Sequence, residues 1–179
     1  MAASVLSTTF KKEIDILKIM KHPNLVILYG CTSRHSSELL LVYEYISNGT
    51  LAGHLHGDRA ETCPLCWPIR LRIAIETASA LSFLHKSEAV DITRHRHDIN
   101  LANMAVSKIQ NNAVHELLDP SLGFAKDPEV KRMMISVAEL VFRCLQQERE
   151  GRPSMDEIVE ILKGIKGEKG GTQPPDVVD

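Results

Sequence analysis

Two neighbouring runs of β-branched and aromatic residues near the start of the chain constrain its fold more than any other feature. The first run is Leu25–Cys31 and the second is Leu39–Ile46, and both have the length and composition of β-strands. A short polar stretch joins them, and the turn residues Ser47-Asn48-Gly49 end the second run. The pattern predicts an antiparallel pair of strands, which must pack against another element because a two-stranded ribbon is marginal by itself.

Helical periodicity precedes the strands. Residues 10–20 place Phe10, Ile14 and Leu17 on one helical face. The dipeptide His22-Pro23 ends this helix, because the residue before a proline avoids the α region. We expect this first helix to be the packing partner of the two strands.

Four further helices are predicted after the strands, each from its own start signal. Pro68 occupies the first turn of one, Asp98 caps the next, Asp127-Pro128 opens a long one, and Ser154-Met-Asp-Glu157 is a capping box. Their predicted apolar positions are, in chain order, Ile69, Ile73, Thr77 and Leu81; Ala102, Ala105 and Ile109; Met134, Val137, Val141 and Leu145; and Ile158, Ile161, Leu162 and Ile165. The element order predicts an α+β fold that is mostly α.

Composition limits the class of protein and its partners. The chain has 179 residues, of which 44% are hydrophobic and 25% are charged, as is typical of one soluble globular domain. A formal net charge of −2 excludes the strongly basic surface that binds nucleic acid, so nucleic acid is not an expected partner. No apolar run approaches the ~20 residues that cross a bilayer, so no membrane span is predicted.

The cysteines give no sign of a metal centre. Cys63 and Cys66 have C-x-x-C spacing, and the remaining two cysteines are Cys31 and Cys144. A structural zinc site needs four ligands, and the chain has no second pair to complete one. Reduced thiols and a cytoplasmic location are therefore predicted, with no metal site.

Segments spread over residues 10–166 resemble plant receptor-like serine/threonine protein kinases, and more narrowly those of the leaf-rust-resistance type. Helix αC and strand 4 of the family match Phe10-Lys-Lys-Glu13, His22–Val26 and Leu28–Cys31, and strand 5, the hinge and the start of helix D match Leu40–Ile46 and Asn48–Leu51. Helix E matches Trp67–Ala74 and Ala80–His85, and the final two helices match Cys144 through Arg152-Pro-Ser-Met155 with Ile158–Leu162. The segments most similar to the leaf-rust-resistance type are Asp91–Met104 and Glu116–Leu122. The resemblance implies a partial protein-kinase-like fold with αC, strands 4 and 5, the hinge, and helices D, E, G, H and I.

The resemblance also implies a division of the chain. Residues 10–46 are a remnant of the kinase small lobe, and residues 47–166 are a partial large lobe with an internal deletion near residues 89–91. Residues 1–9 and 167–179 are expected to be disordered, the tail because it is rich in Gly and Pro.

Five residues of the chain match positions with a role in the family. Tyr43 matches the gatekeeper, while Glu44 and Tyr45 match the hinge whose backbone holds adenine. These three residues are interpreted equally well as ordinary residues of a strand. Glu13 matches the αC glutamate and Arg152 the arginine that pairs with the glutamate of A-P-E. The family partners of both residues are absent from the sequence. We therefore expect Glu13 to be a surface charge, and Arg152 either to have a surface role or to pair with a substitute carboxylate.

The catalytic parts of the family have no counterpart in the sequence. A protein kinase needs a Gly-rich loop over the phosphates, a β3 lysine, the Asp and Asn of the catalytic loop, and the Asp of D-F-G. No G-x-G-x-x-G and no V-A-I-K precedes Phe10, and after Leu84 the chain passes near residues 89–91 into the segment that follows helix F in the family. We expect no catalytic residue and no bound cofactor, with ATP and Mg²⁺ binding at most very weakly.

One stretch offers a rival interpretation. Asp98 and Asn103 have the spacing of a kinase catalytic loop, but the order is Arg-His-Asp, Asn100 stands where the family has a lysine, and no Asp-Phe-Gly follows. We therefore interpret Asp98 as a helix cap.

The leading hypothesis is an incomplete serine/threonine protein kinase homologue that transfers no phosphate and acts as a kinase-derived interaction module. The alternative is an active ATP-dependent protein kinase in receptor-type signalling, as membership of the family would suggest. Helix F, which the resemblance implies between helices E and H, is missing, so the apolar faces of those two helices must meet or stay partly exposed. Exposed apolar surface favours a protein partner, namely another kinase lobe, a chaperone or a second copy of the chain.

Overall fold

The computed structural model describes residues 14, 19–32, 40–57, 59–62, 64–87, 100–111, 113–146 and 148–167. In chain order the elements are β1 Leu28–Cys31, β2 Leu41–Tyr43, α1 Leu51–His56, α2 Arg59–Thr62, α3 Trp67–Lys86, α4 Asn100–Gln110, α5 Pro128–Cys144 and α6 Met155–Lys166. Single 3₁₀ turns occupy Val114–Glu116, Pro120–Leu122 and Arg149–Gly151. The prediction of an α+β fold that is mostly helical is confirmed.

The two predicted strands form an antiparallel pair, as expected, but each is shorter than its apolar run. Tyr43 lies opposite Leu28, and Val42 lies opposite Gly30, so the register shifts by one residue between Leu28 and Gly30. A β-bulge at Tyr29 accounts for this shift, since it places an extra residue in one strand. Composition predicted where strands occur, whereas the pairing of backbone groups decides where they end.

The core of the described residues is formed by the C-terminal helices. Helix α3 packs along α6, and α5 also packs against α6. The most deeply buried side chain is Met134 of α5, which is 1% exposed. Its buried neighbours in the cluster are Trp67, Leu71, Ile75 and Ala78 of α3, Leu140 of α5, and Val159, Leu162 and Ile165 of α6.

The predicted apolar face of α3 is wrong. The buried residues of this helix include Trp67, Leu71 and Ile75, whereas Ile69 and Ile73 are only half-buried, Thr77 is exposed and Leu81 is 38% exposed. The helix is apolar on more than one side, so its sequence offers two adjacent stripes. The positions of α5 and α6 decide which stripe is buried, and that information is not local to α3.

Three predicted helix starts are confirmed. Pro68 lies in the first turn of α3. The Asp127 carboxylate caps α5 by accepting from the backbone N–H groups of Glu129 and Val130. The hydroxyl of Ser154 accepts from the N–H of Glu157, and the Glu157 side chain returns to the Ser154 backbone, which completes the capping box of α6. Helix α5 ends at Cys144, one residue before the predicted Leu145.

The segment that leads into the strands is tied to α3. The His22 ring stacks on Phe83 with 5.3 Å between ring centroids, and its Nε2 lies 3.3 Å from the Ser79 hydroxyl. Ile14 is buried and helical, and Ile19 is also helical, in agreement with the predicted first helix. Met20, the last residue of the predicted helix, is not helical, and residues 10–13 and 15–18 lie outside the described part of the chain, as does the cap predicted at Asp98. Of the segments predicted to be disordered, residues 1–9 and 167–179, the structure describes Gly167, which caps α6.

Within the described residues, no helix is both long enough and apolar enough to cross a membrane.

Candidate functional site

The residues that match the kinase hinge follow directly from β2. Tyr43 ends the strand, and the Glu44 N–H donates to the carbonyl of Ile27 at 2.9 Å, which continues the pairing one residue further. Tyr45 comes next and is 89% exposed. The three predicted site residues therefore follow one another at the end of β2, and the side chains of Tyr43 and Tyr45 are exposed to solvent.

A tight turn connects this segment to α1. Gly49 has φ of +77°, a left-handed conformation that costs glycine little and other residues more. Thr50 caps α1 by accepting from the Gly53 N–H at 3.2 Å. The sequence Asn48-Gly49-Thr50 thus fixes the direction in which the chain leaves the strands.

Two side chains clamp that turn. The Arg59 guanidinium donates to the Asn48 carbonyl at 2.6 Å, and the same oxygen lies 2.9 Å from Nε2 of His54. If Nε2 carries the proton, it donates to Asn48 and leaves Nδ1 as the acceptor nitrogen. Nδ1 is buried and has no partner among the described residues. This clamp holds the turn without any contribution from Tyr43, Glu44 or Tyr45.

A groove of about 580 Å³ opens beside the clamp. It is lined by Asn48, Gly49, Thr50, Leu51, His54, Arg59, Thr62, Leu65 and Ile73. Its charged or aromatic donors are the Arg59 guanidinium and the His54 imidazole, and its apolar lining is Leu51, Leu65 and Ile73. These groups can hold a small polar molecule, and among the described lining residues there is no carboxylate that would bind Mg²⁺.

A second groove, of about 430 Å³, lies where α3 meets α6. The buried Ser82 hydroxyl donates to the Asp156 carboxylate, and the Lys86 ammonium lies 2.9 Å from the same carboxylate. The Ser82 hydroxyl and then Lys86 lower the pKa of Asp156. Asp156 is in the first turn of α6, where a negative charge is also favoured by the helix dipole. This cluster joins two helices of the core and does not resemble a catalytic site.

The two remaining predicted positions are Arg152 and Glu13. Arg152 lies in the turn before α6, where its Nε donates to the Gln146 carbonyl at 2.7 Å. Glu13 lies outside the described residues. Among the described residues, no three His, Cys, Asp or Glu side chains come close enough to hold a metal ion.

Sequence reasoning missed the clamp and the Ser82–Asp156 contact. The sequence predicts the Asn48-Gly49 turn, and a cation such as Arg59, 11 positions after Asn48, is a usable signal for a carbonyl partner of that turn. Nothing local links Ser82 to Asp156, because 74 positions separate them along the chain.

Comparison with known proteins identifies the family. The family described as protein tyrosine and serine/threonine kinase matches residues 2–122, which is more than half of the chain. The chain belongs to the protein kinase family. The resemblance drawn from the sequence is therefore confirmed.

Curated kinases of Arabidopsis thaliana narrow the relationship. The chain is 53% identical to leaf rust 10 disease-resistance locus receptor-like protein kinase-like 1.4, over an alignment of 252 positions that covers 95% of this chain and 38% of that kinase. It is 52% identical to the 1.3 member of the same group, with 94% of this chain and 36% of that kinase covered. The chain thus spans less than two fifths of the length of these relatives.

Solved structures show the same fold. The chain is similar to an apo pseudokinase with a TM-score of 0.70 and 22% identity, covering 90% of this chain and 74% of that one. It is also similar to the pseudokinase named drought responsive inactive kinase 1, with a TM-score of 0.68, 23% identity, and 90% and 76% of the two chains covered. The predicted partial kinase fold is confirmed, since these matches leave about a quarter of each solved chain without a counterpart.

Proposed function

We propose that this chain is a catalytically incomplete kinase homologue that transfers no phosphate and acts in the cytoplasm as an interaction module. The observation that carries the proposal is the short connection between α3 and α4. Helix α3 ends at Lys86 and α4 begins at Asn100. In the family, the catalytic loop, D-F-G, the activation segment, A-P-E and helix F follow the helix that α3 resembles, and residues 87–99 are too few to contain them.

The chemistry of phosphoryl transfer supports the proposal. Transfer depends on a catalytic-loop Asp and on an Asp that holds Mg²⁺, because catalysis consists of positioning and of neutralising charge on the phosphates. The sequence of the chain contains no Asp-Phe-Gly and no His-Arg-Asp. Asp98 and Asn103 alone would supply neither the second metal ligand nor a phosphate cradle.

The length of the alignment with the relatives supports an internal deletion. The alignment with the first relative spans 252 positions, whereas this chain has 179 residues. An alignment longer than the chain requires gaps in the chain. A gap between α3 and α4 is consistent with the position near residues 89–91 where the family pattern breaks.

The core of the described residues supports a folded module rather than an unstructured remnant. Leu71 of α3 precedes the proposed deletion, Met134 of α5 and Leu162 of α6 follow it, and all three belong to one buried cluster. Burying a side chain of this size contributes about 1.5–3 kcal/mol, so the helices on both sides stabilise one another directly. The exposed thiols of Cys31 and Cys66 fit a reducing compartment such as the cytoplasm.

Nucleotide binding tests the proposal. The hinge residues Glu44 and Tyr45 could hold adenine through backbone hydrogen bonds that contribute about 0.5–1.5 kcal/mol each. Without a phosphate cradle or a metal ligand, the total should not exceed about 4 kcal/mol, which corresponds to a Kd near 1 mM or weaker. Calorimetric titration with Mg-ATP should therefore give no resolvable heat of binding at micromolar concentrations, and a micromolar Kd would contradict the proposal.

A further inference from the structure

The exposed apolar residues of the chain are concentrated on and beside the two strands. We call residues 26–31 and 40–46 the ribbon. Its exposed large apolar residues are Val26, Ile27, Tyr29, Leu40, Val42, Tyr43, Tyr45 and Ile46. Single exposed apolar side chains are ordinary, but several of them on two short neighbouring strands mark a place where another surface binds.

We propose that the ribbon pairs with the ribbon of a second copy of this chain, β2 against β2, to form a four-stranded antiparallel sheet across a two-fold axis. The inference rests on the interaction role proposed above and names its surface and its partner. The pairing requires no nucleotide and no phosphate transfer, so it is tested separately from the loss of catalysis.

Within the described residues, the backbone of β2 has a row of hydrogen-bonding groups on the side away from β1 with no strand beside it. The Leu40 carbonyl accepts from the opposing segment at 3.0 Å, and the Glu44 N–H donates to Ile27 at 2.9 Å. Leu40 and Glu44 therefore direct these groups toward β1. Because the direction alternates along a strand, Leu41 and Tyr43 direct theirs away from β1, toward the place a further strand would occupy.

The outer edge of β1 is less suited than that of β2 to pair with a further strand. The bulge at Tyr29 places an extra residue between the pairs Leu28–Tyr43 and Gly30–Val42. Bulges bend the strand, increase its twist and interrupt regular pairing, and proteins use them to protect edges. Strand β2 has no extra residue, and Leu41–Tyr43 contains neither a charge nor a proline. Among the residues that the structure describes, β2 is therefore the edge better suited to pair with a further strand.

Self-pairing of β2 places Val42 on the two-fold axis. Leu41 of each copy then lies opposite Tyr43 of the other, and these pairs exchange both N–H···O=C bonds, because their backbone groups point outward. The two Val42 residues form the close, non-hydrogen-bonded pair between them, with Cα atoms about 4.5 Å apart. A two-fold arrangement closes on itself, so it produces a dimer and not an open chain of copies.

Self-pairing of β2 gives the apolar side chains beside the seam new cross-strand neighbours. Leu40, Val42 and Tyr43 are 53%, 51% and 43% exposed. Aromatic and β-branched side chains that meet across strands contribute about 0.2–1 kcal/mol for each pair, so the seam adds side-chain contacts to its backbone hydrogen bonds.

Charge does not oppose the pairing of identical surfaces. Among the residues of the ribbon, Glu44 is the one Asp, Glu, Lys or Arg, and it is half-buried. Like charges placed face to face are the usual obstacle when a surface meets its own copy. The two-fold axis at Val42 puts Glu44 opposite Leu40 of the other copy and not opposite its own equivalent.

The mass of the full chain in solution tests the proposal. Size-exclusion chromatography with light scattering should give the mass of two chains, and Val42→Lys should give the mass of one, because two lysines would meet at the axis. Val141→Lys is the matched control, since Val141 is also partly exposed but lies on α5. It should remain a dimer. A monomeric parent chain, larger open-ended assemblies, or a dimer that survives Val42→Lys would each overturn the proposal.

Disulfide formation provides a test that does not depend on destabilising the ribbon. The expected Cα separation at the axis lies within the 4.4–6.8 Å range that a disulfide spans. Oxidised Val42→Cys should therefore give a reducible covalent dimer in much higher yield than Val141→Cys or the parent chain, which share the native cysteines. Equal yields would place the contact elsewhere. Either result leaves the phosphotransfer assay of the proposed function unaffected.

Discussion

Arg70 at the start of α3 forms an ion pair with Asp119, with 3.0 Å between Nη2 and Oδ2. The two residues are separated by 49 positions that include the proposed deletion, and Asp119 sits in the turn that leads to α5. Arg70 also donates to the Leu65 carbonyl, and Asp119 also accepts from Ser121. The pair therefore fastens the segment before the deletion to the segment after it.

A double-mutant cycle on this pair should give a measurable coupling energy. The side chains of Arg70 and Asp119 are 27% and 39% exposed, so we expect about 0.5–1 kcal/mol of coupling in urea unfolding of Arg70→Ala, Asp119→Ala and the double variant. The exposed pair Arg72–Glu76 within α3 is the control and should give less, about 0.3–0.5 kcal/mol. Zero coupling between Arg70 and Asp119 would show that the two segments are not joined in this way.

Acid should destabilise the chain through Asp119 and Asp156. Ser121 chiefly lowers the pKa of Asp119, with Arg70 adding to the effect, and Ser82 followed by Lys86 lowers the pKa of Asp156. Groups whose pKa is lower when folded stabilise the protein above their unfolded pKa of about 3.9, and this stability is lost as the pH falls through the folded pKa. The urea midpoint should therefore fall as the pH is lowered from 5 toward 3, by a smaller amount in Asp156→Asn. If the urea midpoint of Asp156→Asn fell with pH as much as that of the parent chain, Asp156 would not contribute to the acid dependence.

Truncation of the central core residue should be costly, and truncation of its neighbour should not. Met134→Ala removes a side chain that is 1% exposed and should lower the free energy of unfolding by about 2–5 kcal/mol. Ile135, the next residue, is 36% exposed, and Ile135→Ala should cost about 1 kcal/mol or less. Equal losses in chemical unfolding would mean that α5 presents a different face to the core.

Trp67 offers a test of an unsatisfied polar group. Its indole nitrogen is buried and has no hydrogen-bond partner among the described residues. Trp67→Phe keeps an aromatic ring and removes that donor, so it should cost much less than the roughly 3–5 kcal/mol expected for Trp67→Ala. Thermal melts of the two variants give the comparison, and equal losses would indicate that the indole N–H has a partner in solution.

The sequence predicted elements well and contacts poorly. Asp127, Pro68 and the Ser154–Glu157 box are local signals, and each marks a helix start that the structure contains. The buried stripe of α3 was predicted wrongly because a helix that is apolar on two sides takes its orientation from its partners.

The candidate site shows the same difference between local signals, which the sequence contains, and contacts between distant segments, which it does not. Strand and turn signals surround Tyr43, Glu44 and Tyr45, and the structure has them at the end of β2 and directly after it. Their roles as gatekeeper and hinge stay a prediction. The clamp of Arg59 and His54 on Asn48 joins residues close along the chain, and the turn with a cation after it is a local signal for the clamp. The pair Arg70–Asp119 depends on how segments 49 positions apart meet, and no periodicity or spacing in the sequence encodes that contact.

Phosphate transfer is the most direct test of the central claim. The purified chain, shown to be folded by a cooperative melt, is incubated with radiolabelled ATP, Mg²⁺ and a generic protein acceptor, beside an active protein kinase and an Asp98→Ala variant. The account predicts no label above background on the chain or on the acceptor, in the parent and the variant alike. Label that appears with the parent chain and is lost in Asp98→Ala would contradict it, because Asp98 would then be a catalytic residue and the chain an active kinase.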